Sequence, residues 1–205
     1  DEFIESLVMG NGRMGAIIYG GVGKERINLN DMTLWSGEPM KYNIDAENEK
    51  RTLAEIREAV ARGEYRKADK LQLKQQGKFS QCYIPMASLL IDFKGDTLTS
   101  AYRRELDLTK AITTINYTIG KSSYTRNYFV SYPDNVMVVE LLANGKERIN
   151  CEVALDSKLR YKTTTTDNSL IIDGYAPYDI TFRERKISWD ENRATHFATI
   201  VKPIE

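Results

Sequence analysis

Histidine occurs once, at His196, and cysteine twice, at Cys82 and Cys151. Zinc sites draw on several His or Cys ligands and acyl-transfer triads use a His base, so those chemistries lose most of their vocabulary here. We expect no metal site and no cofactor, and His196, set between Thr195 and Phe197 in an alternating stretch, reads as a structural residue. Two cysteines do not make a disulfide framework, and two free buried thiols are expected. No charge of one sign dominates: 29 Lys and Arg offset 29 Asp and Glu. That balance carries no electrostatic footprint for nucleic acid or for an anionic membrane. Apolar runs such as residues 112–119 and 136–143 are too short and too interrupted to cross a bilayer, so no membrane span is expected. The chain opens Asp1-Glu2-Phe3 without a basic start or a cleavage site, and any signal peptide is expected to lie outside it.

What is present is ordinary globular composition, 41% hydrophobic and 28% charged over 205 residues, enough for one domain or at most two. Residues 16–19 and 26–29 read as extended segments joined by Gly20-Gly21-Val22-Gly23, a hairpin. Over 48–61, Leu53, Ile56 and Val60 recur at helical spacing; Gly63 interrupts, and 64–75 repeats the pattern with Tyr65, Ala68 and Leu71, with Gly77 placed to cap it. After Pro85 the period becomes two. Ala111, Thr113, Ile115, Tyr117 and Ile119 share one strand face, and Tyr124, Tyr128 and Val130 share one face of 122–131. Pro133-Asp134-Asn135 breaks that strand, 136–143 begins another, and Asn144-Gly145 signals a hairpin into Cys151, Val153 and Leu155. Further extended segments are expected at 89–93, 169–173, 180–187 and 195–201, with 163–168 an exposed loop or strand end. Short strands with regular turn signals predict a mainly β chain: a large antiparallel β-sandwich with a helical insertion at about 46–76, in a single domain over 1–205.

Gly10-Asn11-Gly12-Arg13-Met14-Gly15 matches G-x-G-x-x-G, but dinucleotide binding needs a helix to follow. Ala16-Ile17-Ile18-Tyr19-Gly20-Gly21 leaves no room for one, so these glycines serve a tight turn. The sequon Asn116-Tyr117-Thr118 falls inside an expected strand and carries no weight. Two Trp and twelve Tyr offer faces that stack on sugar rings, though aromatics are equally favoured in strands. Trp35 stands apart because Asp31-Met32-Thr33-Leu34-Trp35-Ser36-Gly37 reads as a loop and exposes it. Glycoside hydrolysis needs two carboxyl groups across the bond; no acidic pair is singled out by spacing. Lys24-Glu25-Arg26 and Arg103-Arg104-Glu105 read as solvated faces.

Taken in order, Gly10 to Ala16, Gly20-Gly21-Val22, Glu25-Arg26-Ile27, Leu29-Asn30-Asp31 and Thr33-Leu34-Trp35-Ser36-Gly37 form a series. It continues through Tyr83-Ile84-Pro85-Met86-Ala87-Ser88-Leu89, Tyr102 to Leu108, Tyr124 to Phe129 and Ser131 to Val136. This series resembles the N-terminal domain of glycoside hydrolase family 95, the α-L-fucosidase family that also includes α-galactosidases, and covers nearly the whole chain. The resemblance implies a β-supersandwich truncated from a larger enzyme and packed against a C-terminal (α/α)6 barrel that holds the catalytic residues. By that implication there is no catalytic residue in this stretch, which is inactive by itself, and the partners are the barrel and a fucosylated or galactosylated glycan. A secreted or periplasmic location is implied in the same way. Asn11, Arg13, Asn30, Asp31, Thr33, Trp35 and Ser36 are polar or amphipathic residues on loops between strands, where function tends to sit. They are expected to face the barrel and order one rim of its sugar pocket, or else to hold their own loops together, with Asn30 and Asp31 bonding nearby backbone N–H groups. An independent carbohydrate-binding module is the other reading.

Overall fold

The computed structural model describes residues 2–39, 45–76, 80–146, 148–181 and 184–204. It divides into two compact units, one of Asp1–Glu38 with Cys82–Glu205 and one of Pro39–Gln81. Gly77, expected as a helix cap, lies outside the described residues.

The smaller unit is a helical hairpin. Helix α1 (Ala46–Ala61) begins at Asp45, whose side chain accepts from the Asn48 N–H, and α2 (Tyr65–Gln72) follows after Gly63. The Gln75 side chain donates to the Glu49 carbonyl and joins the end of one helix to the start of the other. Thr52 and Ala59 are the buried positions of α1, whereas Leu53 and Val60 are exposed. The covered stripe is therefore displaced by one residue from the one the apolar spacing predicts.

The larger unit is a sandwich. After a 3-10 turn at Phe3–Glu5 come β1 (Leu7–Gly10), β2 (Met14–Ile18), β3 (Lys24–Asp31) and β4 (Ala87–Phe93). The meander β5 (Ser100–Asp107), β6 (Ile112–Ile119), β7 (Ser122–Ser131) and β8 (Val136–Asn144) follows. Then come β9 (Cys151–Asp156), β10 (Arg160–Thr166), β11 (Ser169–Tyr175), β12 (Asp179–Thr181), β13 (Lys186–Ser188) and β14 (His196–Val201). The first sheet has the order β1-β2-β3-β4-β9 and the second β5-β6-β7-β8; smaller sheets are β10-β11-β14 and β12-β13, and every pairing is antiparallel.

The expected period of two holds in the core. Ile18, Ile27, Leu29, Leu89 and Ile91 of the first sheet and Ile115, Tyr117 and Tyr128 of the second belong to one buried cluster. Asn144-Gly145, however, is no hairpin: β8 pairs with β7, and β9 crosses to pair with β4 in the other sheet. Gly145 has φ +136, and a Cβ there would meet the Ser122 Oγ at 2.5 Å, so the glycine permits a close pass rather than a strand reversal. Residues 163–168, expected as a loop or strand end, lie largely in β10, registered against β11 from Arg160 to Thr166. Residues 180–187 are not one strand but the arms of β12 and β13. Both cysteines are free and half-buried. His196 holds the Glu191 carbonyl at 2.7 Å and lies tilted against Tyr175.

The sheets are joined by charge as well as by apolar contact. Glu25 and Arg126 are each 1% exposed, so neither belongs to a solvated face. Glu25 accepts from the Gly20 and Arg26 N–H groups and from the Tyr128 hydroxyl, with the Arg126 Nη1 at 3.6 Å. Arg126 donates to the Gly21 and Val22 carbonyls and the Tyr117 hydroxyl, and its guanidinium lies 3.7 Å from the Phe93 ring centroid. Arg104 donates to the Tyr19 carbonyl and the Tyr102 hydroxyl to that of Gly20. Four successive carbonyls of the β2–β3 turn, Tyr19 to Val22, are thus all satisfied by side chains of the opposing sheet. A buried polar turn of this kind is stable only when every group finds a partner.

Burial pushes the Glu25 carboxyl above its ordinary value of 4.5, against the pull of four hydrogen-bonded or charged neighbours. A group whose pKa is higher folded than unfolded favours the fold below its unfolded pKa, and that contribution is lost as pH rises through the folded value. The stability of the wild-type chain, measured against that of Glu25→Gln, is expected to fall as pH rises above the ordinary carboxylate range. Urea midpoints across that rise check it; parallel profiles for the two proteins would contradict it.

Candidate functional site

At the end of the sandwich where β3 finishes, three local devices shape the surface. In the first, the Asn11 Oδ1 accepts from the N–H groups of Arg13 and Met14 and so closes the β1–β2 turn. Its Nδ2 donates to the Ser131 carbonyl and the Asn135 Oδ1, tying that turn to the β7–β8 turn of the other sheet. In the second, Asp31 at the end of β3 accepts from the Thr33 N–H at 2.9 Å and the Thr33 hydroxyl at 2.6 Å, an Asx turn. Its other oxygen takes the Arg13 Nε at 3.3 Å. In the third, Ser36 is locked to Cys82: its N–H donates to the Cys82 carbonyl and its Oγ accepts the Cys82 N–H, both at 2.8 Å.

That last pairing carries Tyr83 alongside Trp35. The two form an isolated antiparallel bridge and their rings meet edge to face at 5.7 Å, each residue 45% exposed. The Trp35 indole N–H is spent on the Met32 carbonyl, so what the residue offers outward is its ring. Met32 is also exposed, and the Arg13 side chain is 58% exposed beside Asp31. The result is an open patch of two aromatic rings, a thioether and a half-neutralised guanidinium.

Partial burial pushes the Asp31 carboxyl up, but the Thr33 hydroxyl and amide and the Arg13 guanidinium outweigh it and hold it below the usual aspartate range. An acid held in that state is the opposite of a glycosidase general acid, which its surroundings keep protonated. Partial burial, and then the Asp31 charge, push the Tyr83 hydroxyl up, so it remains a hydrogen-bond donor. The chemistry available to the patch is stacking and hydrogen bonding.

Of the seven residues picked out by sequence, the structure brings Arg13, Asp31, Thr33 and Trp35 to the patch. Asn11 and Ser36 serve as ties beneath it. Asn30 sits across from Gly15 on β2 and, by strand alternation, faces away from Asp31; its Oδ1 is buried and finds no partner among the described residues. Sequence reasoning missed Tyr83 as a site residue, although it stands in the Tyr83-Ile84-Pro85 segment that carries the resemblance. Among the described residues no three His, Cys, Asp or Glu side chains gather as a metal site would need, and no helix is long and apolar enough to cross a membrane.

The antiparallel sheets define the class as a mainly β sandwich domain, with an aromatic, partly charged loop patch at one end. The chain belongs to the family described as glycosyl hydrolase family 65, N-terminal domain, whose model matches residues 1–205. It is 30% identical over 213 residues to "Alpha-L-fucosidase 2" of Arabidopsis thaliana, covering 98% of this chain and 25% of that protein. It is 32% identical to "Probable alpha-fucosidase A" of Aspergillus oryzae over 69% of the chain, and 33% identical to that of Aspergillus niger over 67%. The α-fucosidase relatives are compatible with the family 95 resemblance. The chain spans between 18% and 25% of the length of these curated relatives.

Proposed function

We propose that this chain is the noncatalytic N-terminal β-sandwich of an α-L-fucosidase, that it packs against an (α/α)6 catalytic barrel in the same polypeptide, and that the Arg13, Asp31, Trp35 and Tyr83 patch borders that barrel's sugar pocket. The observation that carries the reading is the patch itself: an exposed, prearranged Trp35–Tyr83 pair beside an aspartate whose carboxyl is kept ionised. Such a surface can position a substrate or a neighbouring domain but cannot supply a protonated acid. The likeness to α-fucosidases along almost the full length of the chain supports the choice of fucosyl over galactosyl glycans. A secreted or periplasmic address belongs to the same reading, and fractionation of the producing cells tests it.

The exposed ring pair also favours a second reading, an autonomous carbohydrate-binding module. Hydrolysis of fucosyl and galactosyl reporters by the full-length gene product separates the two. In Trp35→Ala the first reading expects KM for the fucosyl reporter to rise several-fold while unfolding free energy shifts by roughly 1 kcal/mol or less, since the ring is half-exposed. A module predicts unchanged hydrolysis and lost glycan binding. Unchanged kinetics together with unchanged binding would refute both.

A further inference from the structure

A second concavity lies at the opposite end of the sandwich. β3 and β7 run between the two ends, so it is separated from the Trp35 patch by the length of a strand, roughly 25 Å. It is a cleft of about 680 Å³ bounded by the β2–β3 turn, the β4–β5 loop, the β6–β7 turn and the long crossing between β8 and β9, within the range of small-ligand pockets. Phe93, Tyr117 and Tyr124 line it, and the two tyrosines, directly paired across β6 and β7, lie stacked at 5.2 Å with only 11° between their planes. Tyr117 is buried and Tyr124 half-exposed, so the outer ring of the stack is the accessible one.

Among the described residues the charged lining is mainly cationic, with Asp96 as its one acid. Lys121, Lys146 and Arg148 are exposed on the rim, and none has an ion pair among the described residues. Lys94 is neutralised by Asp92 and Glu152, while Asp96 accepts the Leu98 N–H. Arg126 forms part of the wall, 1% exposed, and its Nε finds no acceptor among the described residues. A buried guanidinium N–H without a partner is a cost that a ligand oxygen would remove.

We infer that this cleft is a binding site for an acidic oligosaccharide, a pyranose stacking on Tyr124 while its carboxylate or sulfate groups meet Lys121, Lys146 and Arg148. An aromatic face suits the apolar C–H face of a sugar ring, and the cationic rim selects an anion over a neutral chain. The choice of a saccharide over another flat anion rests on the reading of this protein as a glycan-active one. The cleft itself takes no part in that reading, so it serves capture of an acidic chain at a distance from the patch.

Titration of the full-length protein with a galacturonic acid trisaccharide, a neutral galactose trisaccharide and inorganic sulfate tests the inference. Saturable binding of the acidic trisaccharide is expected, at least tenfold tighter than of the neutral one, uncompeted by equimolar sulfate and weakened by salt. The double variant Lys146→Glu/Arg148→Glu, both on an exposed loop, is expected to weaken it about tenfold or more, and Tyr124→Ala to weaken it comparably. Equal binding of the neutral trisaccharide, full competition by sulfate, no binding, or binding indifferent to the double variant would each overturn the inference. Hydrolysis of the fucosyl reporter is read separately and is expected to be unchanged in the double variant. Its absence from the wild type would count against the enzyme reading and not against the cleft.

Discussion

Replacing Arg126 by methionine is expected to cost about 3–5 kcal/mol of folding free energy, the range for breaking one side of a buried ion pair. Methionine fills much of the same volume between Phe93 and Tyr117, so the loss is not a cavity effect. It comes from the Gly21 and Val22 carbonyls, which lose their donors, and from the Glu25 carboxyl, which keeps its hydrogen bonds from Gly20, Arg26 and Tyr128 but loses the opposing charge. Arg126→Lys is expected to recover little, because a single ammonium cannot span two carbonyls and a phenol while lying flat on an aromatic ring. The charge component separates from the hydrogen-bond component through pH. Without Arg126, Glu25 takes up a proton at higher pH still, so the deficit of the methionine variant is expected to shrink as pH falls. Glu25→Gln combined with Arg126→Met should likewise cost less than the sum of the two single changes. Urea midpoints of the four proteins at two pH values decide the matter; additive losses independent of pH would remove Glu25 from the account.

That network marks where the sequence was legible and where it was not. Alternation in residues 122–131 places Arg126 on the same strand face as Tyr124, Tyr128 and Val130. A charged residue at an inward position is itself a signal of a buried pair. Its partner is harder to see, because Glu25 sits between Lys24 and Arg26 and looks locally like a solvated triplet; only its place in phase with Ile27 and Leu29 shows it facing inward. Local patterns gave the strands and the exposed Trp35. They did not show that Tyr83 would join Trp35, or that Asn11 would reach the Ser131 carbonyl, because those contacts depend on how remote strands register. Asn144-Gly145 failed for a related reason: a turn signal reports a change of direction, not which sheet receives the next strand. Arg104, read with Arg103 and Glu105 as a surface cluster, turns inward to the Tyr19 carbonyl because strand alternation separates it from both neighbours.

The glycines of the β2–β3 turn carry the second large expectation. Gly21→Ala is expected to destabilise the chain by about 3 kcal/mol or more, beyond ordinary overpacking. A Cβ at Gly21 would stand 2.0 Å from the Lys24 carbonyl oxygen, a backbone atom at the start of β3 whose strand is registered on both sides. At Gly20 the obstacle is mainly the flexible Arg104 side chain, at 2.5 Å, together with a φ of +80. Gly21 therefore has no cheap escape: the turn must move, and when it moves the row of carbonyls from Tyr19 to Val22 leaves Arg104, Tyr102 and Arg126 together. The turn and the arginine fail as one unit, so Gly21→Ala combined with Arg126→Met is expected to fall well short of the sum of their separate costs. Gly12→Ala provides the contrast. Its φ is +92 but nothing lies within 4 Å of the added carbon, so only backbone strain remains, roughly 1–2 kcal/mol. Gly21 has no positive φ, so its loss has to come from the clash; a loss at Gly21 no larger than that at Gly12 would mean that the turn yields freely and that the packed carbonyl row contributes nothing.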